Sequence, residues 1–214
     1  NGVYLQVADA LRKHELFEFG GIEPNPDYAT LMKAVKQVKK QRIDFLLAVG
    51  GGSVIDGTKF IAAAALYKGE DPWDIIDQNL GASLKKALPF GAVLTLPATG
   101  SEMNRNSVIS NREAGQKKSF ASDKVFPKFS ILDPKVTYSL PQDQIRNGLV
   151  DAYIHILEQY MTYPAGAIVQ DRQAEALLLA IHEMAPAALQ MDPPDYNARA
   201  NYMWVCSNAH NHLI

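Results

Sequence analysis

The sequence predicts an α/β domain over residues 1–140 followed by an all-helical part over 141–214. Three observations carry that prediction. The apolar run Phe45-Leu-Leu-Ala-Val49 ends in Gly50-Gly51-Gly52-Ser53 and continues into an alanine-rich stretch. That succession reads as a buried parallel strand, a tight turn and a well-packed helix. Strand and helix patterns alternate before and after it, as they do around a parallel sheet. From Pro141 onward the periodic segments are helical only, with Tyr163-Pro164 and Asp192-Pro193-Pro194 between them.

Taken in order, Val3, Val7, Ala8 and Leu11 recur at helical spacing, and Leu16-Phe17-Glu18-Phe19 is a short strand candidate. Gly20 to Pro26 holds two glycines and two prolines and is a loop. Tyr28, Leu31, Met32, Val35 and Val38 form the apolar stripe of a helix whose outer face carries lysines. The central strand follows, and its helix runs to Tyr67 with Ser53 as expected N-cap. After a polar connection over 69–83, Phe90 to Pro97 reads as another buried strand, leading into Ala98-Thr99-Gly100-Ser101-Glu102. Val108-Ile109 and Phe129 to Leu132 are later strands, with a turn at Gly115-Gln-Lys117-Lys118 between them. Helices are expected over Gln144–Met161, Ala167–Leu189 and Asp195–Leu213.

Composition narrows the function classes. Apolar residues make up 47% and charged residues 21%, a globular composition. The net charge of −2 and the absence of basic blocks argue against a nucleic-acid partner. The longest apolar stretch, Phe60 to Tyr67, is too short to cross a membrane. The single cysteine, Cys206, excludes an internal disulfide framework and fits a reducing cytoplasm. The chain opens on Asn1 and stops in mid-pattern at Leu213-Ile214, so both ends are expected to have been lost from a longer protein.

Two places could carry chemistry. A strand, a glycine turn and a helix N-terminus direct free N–H groups and the helix dipole at one spot, which suits a phosphate or pyrophosphate. The alternative is a glycine-rich turn with no ligand, and the spacing is neither Walker A nor G-x-G-x-x-G. Asp151 and His155 stand four apart on a helix with apolar neighbours, so their Cβ atoms lie ~6 Å apart on one face. Both could bond one divalent ion at about 2.0–2.2 Å, or they could be a hydrogen-bonded pair. His182 reads as solvated, and His210 and His212, two apart on a helix, would point to nearly opposite sides. Cys206 reads as a buried inert thiol, and Lys117 as a solvated cation unless a phosphate or ribose lies near it.

Four motifs occur together: Gly50-Gly-Gly-Ser53-x-x-Asp56-x-x-Lys59, Thr95-x-Pro97-x-Thr99-Gly100-Ser101-Glu102, the Asp133 to Pro141 stretch, and Gly148-x-x-Asp151-x-x-x-His155-x-x-Glu158. In this order they resemble the iron-containing (group III) alcohol dehydrogenase family, over the whole chain. The Gly-Gly-Ile-Glu-Pro-Asn-Pro loop is most similar to its NADPH-dependent aldehyde reductase and butanol dehydrogenase branch. The resemblance implies an N-terminal dinucleotide-binding α/β domain, a C-terminal helical domain, and an active site in the cleft between them. It implies that Gly51, Gly52, Ser53 and Asp56 line the pyrophosphate of NADP(H), with NAD(H) as the alternative cofactor. Thr95, Pro97 and Thr99 would follow the nicotinamide half with Asn104 close by; Lys117 would reach the ribose and Leu140 would pack beside it. Asp151 and His155 would be two of four ligands to Fe²⁺ or Zn²⁺.

The family's other two ligands follow an H-x3-H-x9-H pattern that no histidine after His155 matches, and its opening strand has no counterpart. Arg146 and Tyr153 also depart from the small or aliphatic residues usual there. The activity implied is reversible reduction of aldehydes to primary alcohols, with no proton-donating residue assigned and a homodimer expected from the family alone. Two other readings are an NAD- and zinc-dependent relative of glycerol dehydrogenase or dehydroquinate synthase, and a nucleotide-binding fragment without catalysis.

Overall fold

The computed structural model describes residues 2–164 and 166–214. The chain packs as two units: one runs to Val93 and takes in Arg105–Ser130, the other comprises Leu94–Asn104 and Ile131–Ile214. The expected order of an α/β part followed by helices is present. The loop Leu94–Asn104, inside the span read as the α/β part, packs with the helices of the second unit.

The first unit holds helices α1 (Val3–Ala10), α2 (Tyr28–Gln41), α3 (Gly52–Leu66) and the single turn α4 (Asp74–Asp77). Its strands are β1 (Leu46–Gly50), β2 (Phe90–Leu94), β3 (Asn106–Asn111), β4 (Gln116–Ala121) and β5 (Ser130–Ile131), the last residues of β2 and β5 falling in the second unit. A sheet of order β1-β2-β5 forms the centre. Lys128 N–H donates to Phe90 O and Ala92 N–H to Phe129 O, so both chains advance in the same direction. Every residue of β2 is buried, as continuous apolar strands of parallel sheets are. In α2, Asp27 caps the N-terminus by accepting from Ala29 N, and Leu31, Ala34, Val35 and Val38 form the buried stripe. Lys39 and Lys40 occupy its last turn, where the dipole favours cations.

Three expectations are corrected here. Leu16–Phe19 is not a strand; Glu18 O accepts from the Gln37 side chain, and Leu16 and Phe17 stay exposed. The residues 115–118 are not a turn. The reversal lies at Arg112–Gly115, where Gly115 takes φ 63°, and Lys117 and Lys118 belong to β4. β4 pairs antiparallel with β3 in a register from Asn106↔Ala121 to Asn111↔Gln116. The N-cap of α3 is Gly51 rather than Ser53, so Ser53 falls in the first helical turn.

The β3–β4 hairpin is fastened to α3 by polar contacts. The buried Lys59 ammonium donates to Asn106 O at 2.7 Å, Ser107 Oγ donates to Asp56 O at 2.8 Å, and Val108 N donates to Asp56 Oδ2 at 2.9 Å.

The second unit is built on α5 (Gln142–Tyr160), α6 (Ile168–Ala188) and α7 (Tyr196–Asn208). Ile145, Leu149, Ala152, Ile156, Ile181, Tyr202 and Cys206 are among the residues of its core. Arg199 is fully buried there, and its guanidinium donates to Thr137 O at 2.6 Å and Gln190 O at 3.2 Å. α7 was expected to reach Leu213 but ends at Asn208, so His210 and His212 lie beyond it; His212 takes φ 66°. Among the described residues no helix is long and apolar enough to cross a membrane.

Candidate functional site

In the first unit, β1 ends at Gly50 and the chain turns through Gly51, in extended conformation, into α3. The leading N–H groups of a helix have no partner within it, and here Gly52 and Ser53 supply them at the positive end of the dipole. Ser53 Oγ accepts from Asn25 N at 3.3 Å, which brings the Gly20–Pro26 loop beside this turn. Asn25, with φ 55°, in turn accepts from Lys117 Nζ on its side-chain oxygen at 2.8 Å. Gly51, Gly52, Ser53, Asn25 and Lys117 are therefore brought together. Asn25 was missed from sequence; its signal was an asparagine held between two prolines, a setting that favours a left-handed turn residue. Asp56 lies one turn into α3, and its carboxylate is engaged by Val108 N and lies 3.9 Å from Lys59 Nζ.

The second unit contains the Leu94–Asn104 loop. Thr95 and Thr99 are half-buried, and Thr99 Oγ1 accepts from Ser101 N at 3.3 Å. Pro97 is buried, and its carbonyl accepts from Tyr202 Oη at 2.5 Å. Gly100 takes φ 63°, a conformation few other residues adopt. Buried Glu102 accepts a short hydrogen bond from Ser207 Oγ. Asn104 Nδ2 donates to His210 O at 3.1 Å. Leu140 follows the Pro134–Ser139 turn and packs against the helical core.

On α5, Asp151 and His155 face one another, with Oδ2 and Nε2 3.6 Å apart. Two ligands of a tetrahedral ion with bonds of about 2.0–2.2 Å stand roughly 3.3–3.6 Å apart, so the pair fits two positions on one ion. Among the described residues no group of three or more His, Cys, Asp or Glu is arranged to hold a metal. The Asp151 carboxylate beside it raises the His155 pKa; burial opposes this, and the Glu158 charge adds to it. His210, set aside on sequence, stacks on His155 with ring centroids 4.6 Å apart. His182 is exposed, as expected. Cys206 is buried, and burial pushes its thiol pKa well up, which disfavours the thiolate.

The model of the iron-containing alcohol dehydrogenase family matches residues 1–134. The NADPH-dependent aldehyde reductase YqhD of Escherichia coli is 56% identical over 214 residues, covering 100% of this chain and 55% of that protein. A probable NADH-dependent butanol dehydrogenase of Bacillus subtilis is 46% identical, again over 100% of this chain and 55% of the relative. Among solved structures, E. coli YqhD superposes with a TM-score of 0.95 at 54% identity, over 99% of this chain and 54% of that one. The NADH-dependent butanol dehydrogenase A of Thermotoga maritima gives 0.89 at 42% identity, over 98% and 52%. The chain thus spans about half the length of the curated relatives it matches.

Proposed function

The chain belongs to the iron-containing alcohol dehydrogenase family, and we propose that the whole protein interconverts aldehydes and primary alcohols using NADP(H) and one divalent metal, iron or zinc. The observation that carries this reading is the Asp151–His155 pair, held 3.6 Å apart on one face of α5. When bound, the metal supplies Lewis-acid polarisation of a carbonyl and the nicotinamide supplies the hydride.

The chain's own residues do the holding. Asp151 and His155 provide two of the ligands. Gly51, Gly52 and Ser53 present backbone N–H groups to the pyrophosphate, with Asp56 behind them in the same helix. Lys117, steadied by Asn25, reaches the ribose. Thr95, Pro97, Thr99, Asn104 and Leu140 serve the nicotinamide half. In this reading residues 1–140 are the dinucleotide-binding part and the helical part from 141 binds the metal, although Leu94–Asn104 and the residues from Ile131 onward pack with the helices. The lone buried cysteine fits a cytoplasmic setting.

NADP(H) is favoured because the relative that is 56% identical is named an NADPH-dependent reductase. NADH is the competing cofactor, because the relatives at 46% and 43% identity are named NADH-dependent butanol dehydrogenases. The test is butanal reduction by the intact protein with each cofactor, alongside metal analysis. Expected are a higher kcat/KM with NADPH, and loss of both metal and turnover in Asp151→Ala. Full activity in a metal-free preparation would refute the proposal.

A further inference from the structure

We propose that His210 is a positioning residue that sets the ring plane of His155. The inference rests on reading Asp151 and His155 as metal ligands and extends it to a residue outside the pair. The two imidazoles lie 23° from parallel with centroids 4.6 Å apart, within the range of offset stacking. Their backbones are fixed to each other: the Gln159 amide donates to His155 O at 2.7 Å and to Ala209 O at 2.8 Å. Asn104 Nδ2 holds the His210 carbonyl itself. The stack is therefore built on three backbone carbonyls anchored by two amide side chains.

A metal-bound histidine is commonly oriented by a hydrogen bond at its second ring nitrogen. On His155, Nε2 faces Asp151, and the carboxylate nearest Nδ1, Glu158 Oε2, stands 3.9 Å away, beyond hydrogen-bond reach. A parallel ring supplies the orientation by packing instead. It blocks rotation of His155 away from Asp151 and keeps the two donor atoms converging on one point. The His212 ring, 5.9 Å from His210 and tilted by 60°, is the next aromatic neighbour in the cluster.

Zinc titration of the intact, chelator-stripped protein tests this, using His210→Phe, which keeps a stacking ring, and His210→Leu, which keeps bulk without one. The phenylalanine variant should bind zinc within about threefold of wild type. The leucine variant should lose about 10–100-fold, the usual effect of removing a group that orients a ligand. The visible spectrum of the Co²⁺ form should be preserved in the first and altered in the second. His210→Gln is a second ringless variant, expected to behave as leucine does, should the leucine protein fail to fold. Equal, wild-type affinity in both variants would overturn the inference, because the ring would then be irrelevant. Equal loss in both would also overturn it, because a nitrogen of His210 would then be what matters. Wild-type protein that takes up no zinc would overturn the ligand reading and this inference together.

Discussion

The Tyr202 side chain has one polar atom, Oη, and it donates a hydrogen bond. The side chain is fully buried, and burial, with the neighbouring Cys206 adding, pushes its pKa far above the ordinary value, so the hydroxyl stays a donor. Its acceptor is the carbonyl of buried Pro97. Tyr202→Phe would leave that carbonyl unsatisfied at a cost of about 1–3 kcal/mol. Thermal unfolding of the intact protein should show a correspondingly lower Tm. Gly148 crosses at the same point: a Cβ there would stand 2.1 Å from Tyr202 Oη and 2.5 Å from Pro97 O. Gly148→Ala should therefore destabilise as well, through overpacking of about 1–3 kcal/mol. Combined with Tyr202→Phe the loss should be smaller than the sum, because removing the hydroxyl clears part of the clash. Additive losses would show that the two side chains do not share this space. That Asp151 and His155 face one another was readable from sequence, because an i, i+4 pair shares a face wherever a helix forms. The stacking of His210 on His155 was not, because it depends on where α7 stops, and a helix drawn to Leu213 says only that His210 and His212 point to nearly opposite sides.

What held for residues holds for elements, with a physical boundary. β2 was readable because a strand buried on both faces must be apolar throughout, and β1, whose Leu46, Leu47 and Val49 are only half-buried, was readable from an apolar run that ends in glycines. β4, Gln-Lys-Lys-Ser-Phe-Ala, has four exposed residues in six and no such signature. Its conformation comes from pairing with β3, which composition does not announce. Leu16–Phe19 fails in the opposite sense: the residues favour a strand, yet a strand needs a neighbour to accept its hydrogen bonds. One of the contacts attaching the hairpin to α3 is made by Lys59, which is fully buried and donates to Asn106 O. Lys59→Met keeps the stem's packing and removes a charge-assisted hydrogen bond worth about 1.5–3 kcal/mol. Urea unfolding should register that loss, and hydrogen exchange should accelerate across Asn106–Ala121 before it does so in α5. Unchanged protection of the hairpin would mean that strand pairing and the Asp56 contacts hold it without Lys59.

At the level of the whole chain, each unit has its own buried core, with Leu31, Ile55 and Phe60 in one and Ile145, Ile156 and Tyr202 in the other. The glycine turn and Lys117 belong to the first, and Asp151 and His155 to the second. Substitutions in separate cores with no shared partner act independently to a good approximation. Gly52→Val interposes a side chain at the start of α3 and takes the anion away from the helix N-terminus. A dipole contribution of about 1–2 kcal/mol corresponds to roughly 5–30-fold weaker NADPH binding by fluorescence titration. Zinc content of that variant should stay at the wild-type level. Asp151→Ala should do the reverse, emptying the metal site because one ligand is lost, while NADPH affinity stays within about twofold. Were Asp151→Ala to weaken NADPH as strongly as Gly52→Val does, the metal and the cofactor would be coupled through the protein. Independent losses are expected if the glycine turn supplies the larger share of cofactor binding, because the nicotinamide-side residues Thr95, Pro97, Thr99, Asn104 and Leu140 share the second unit with Asp151.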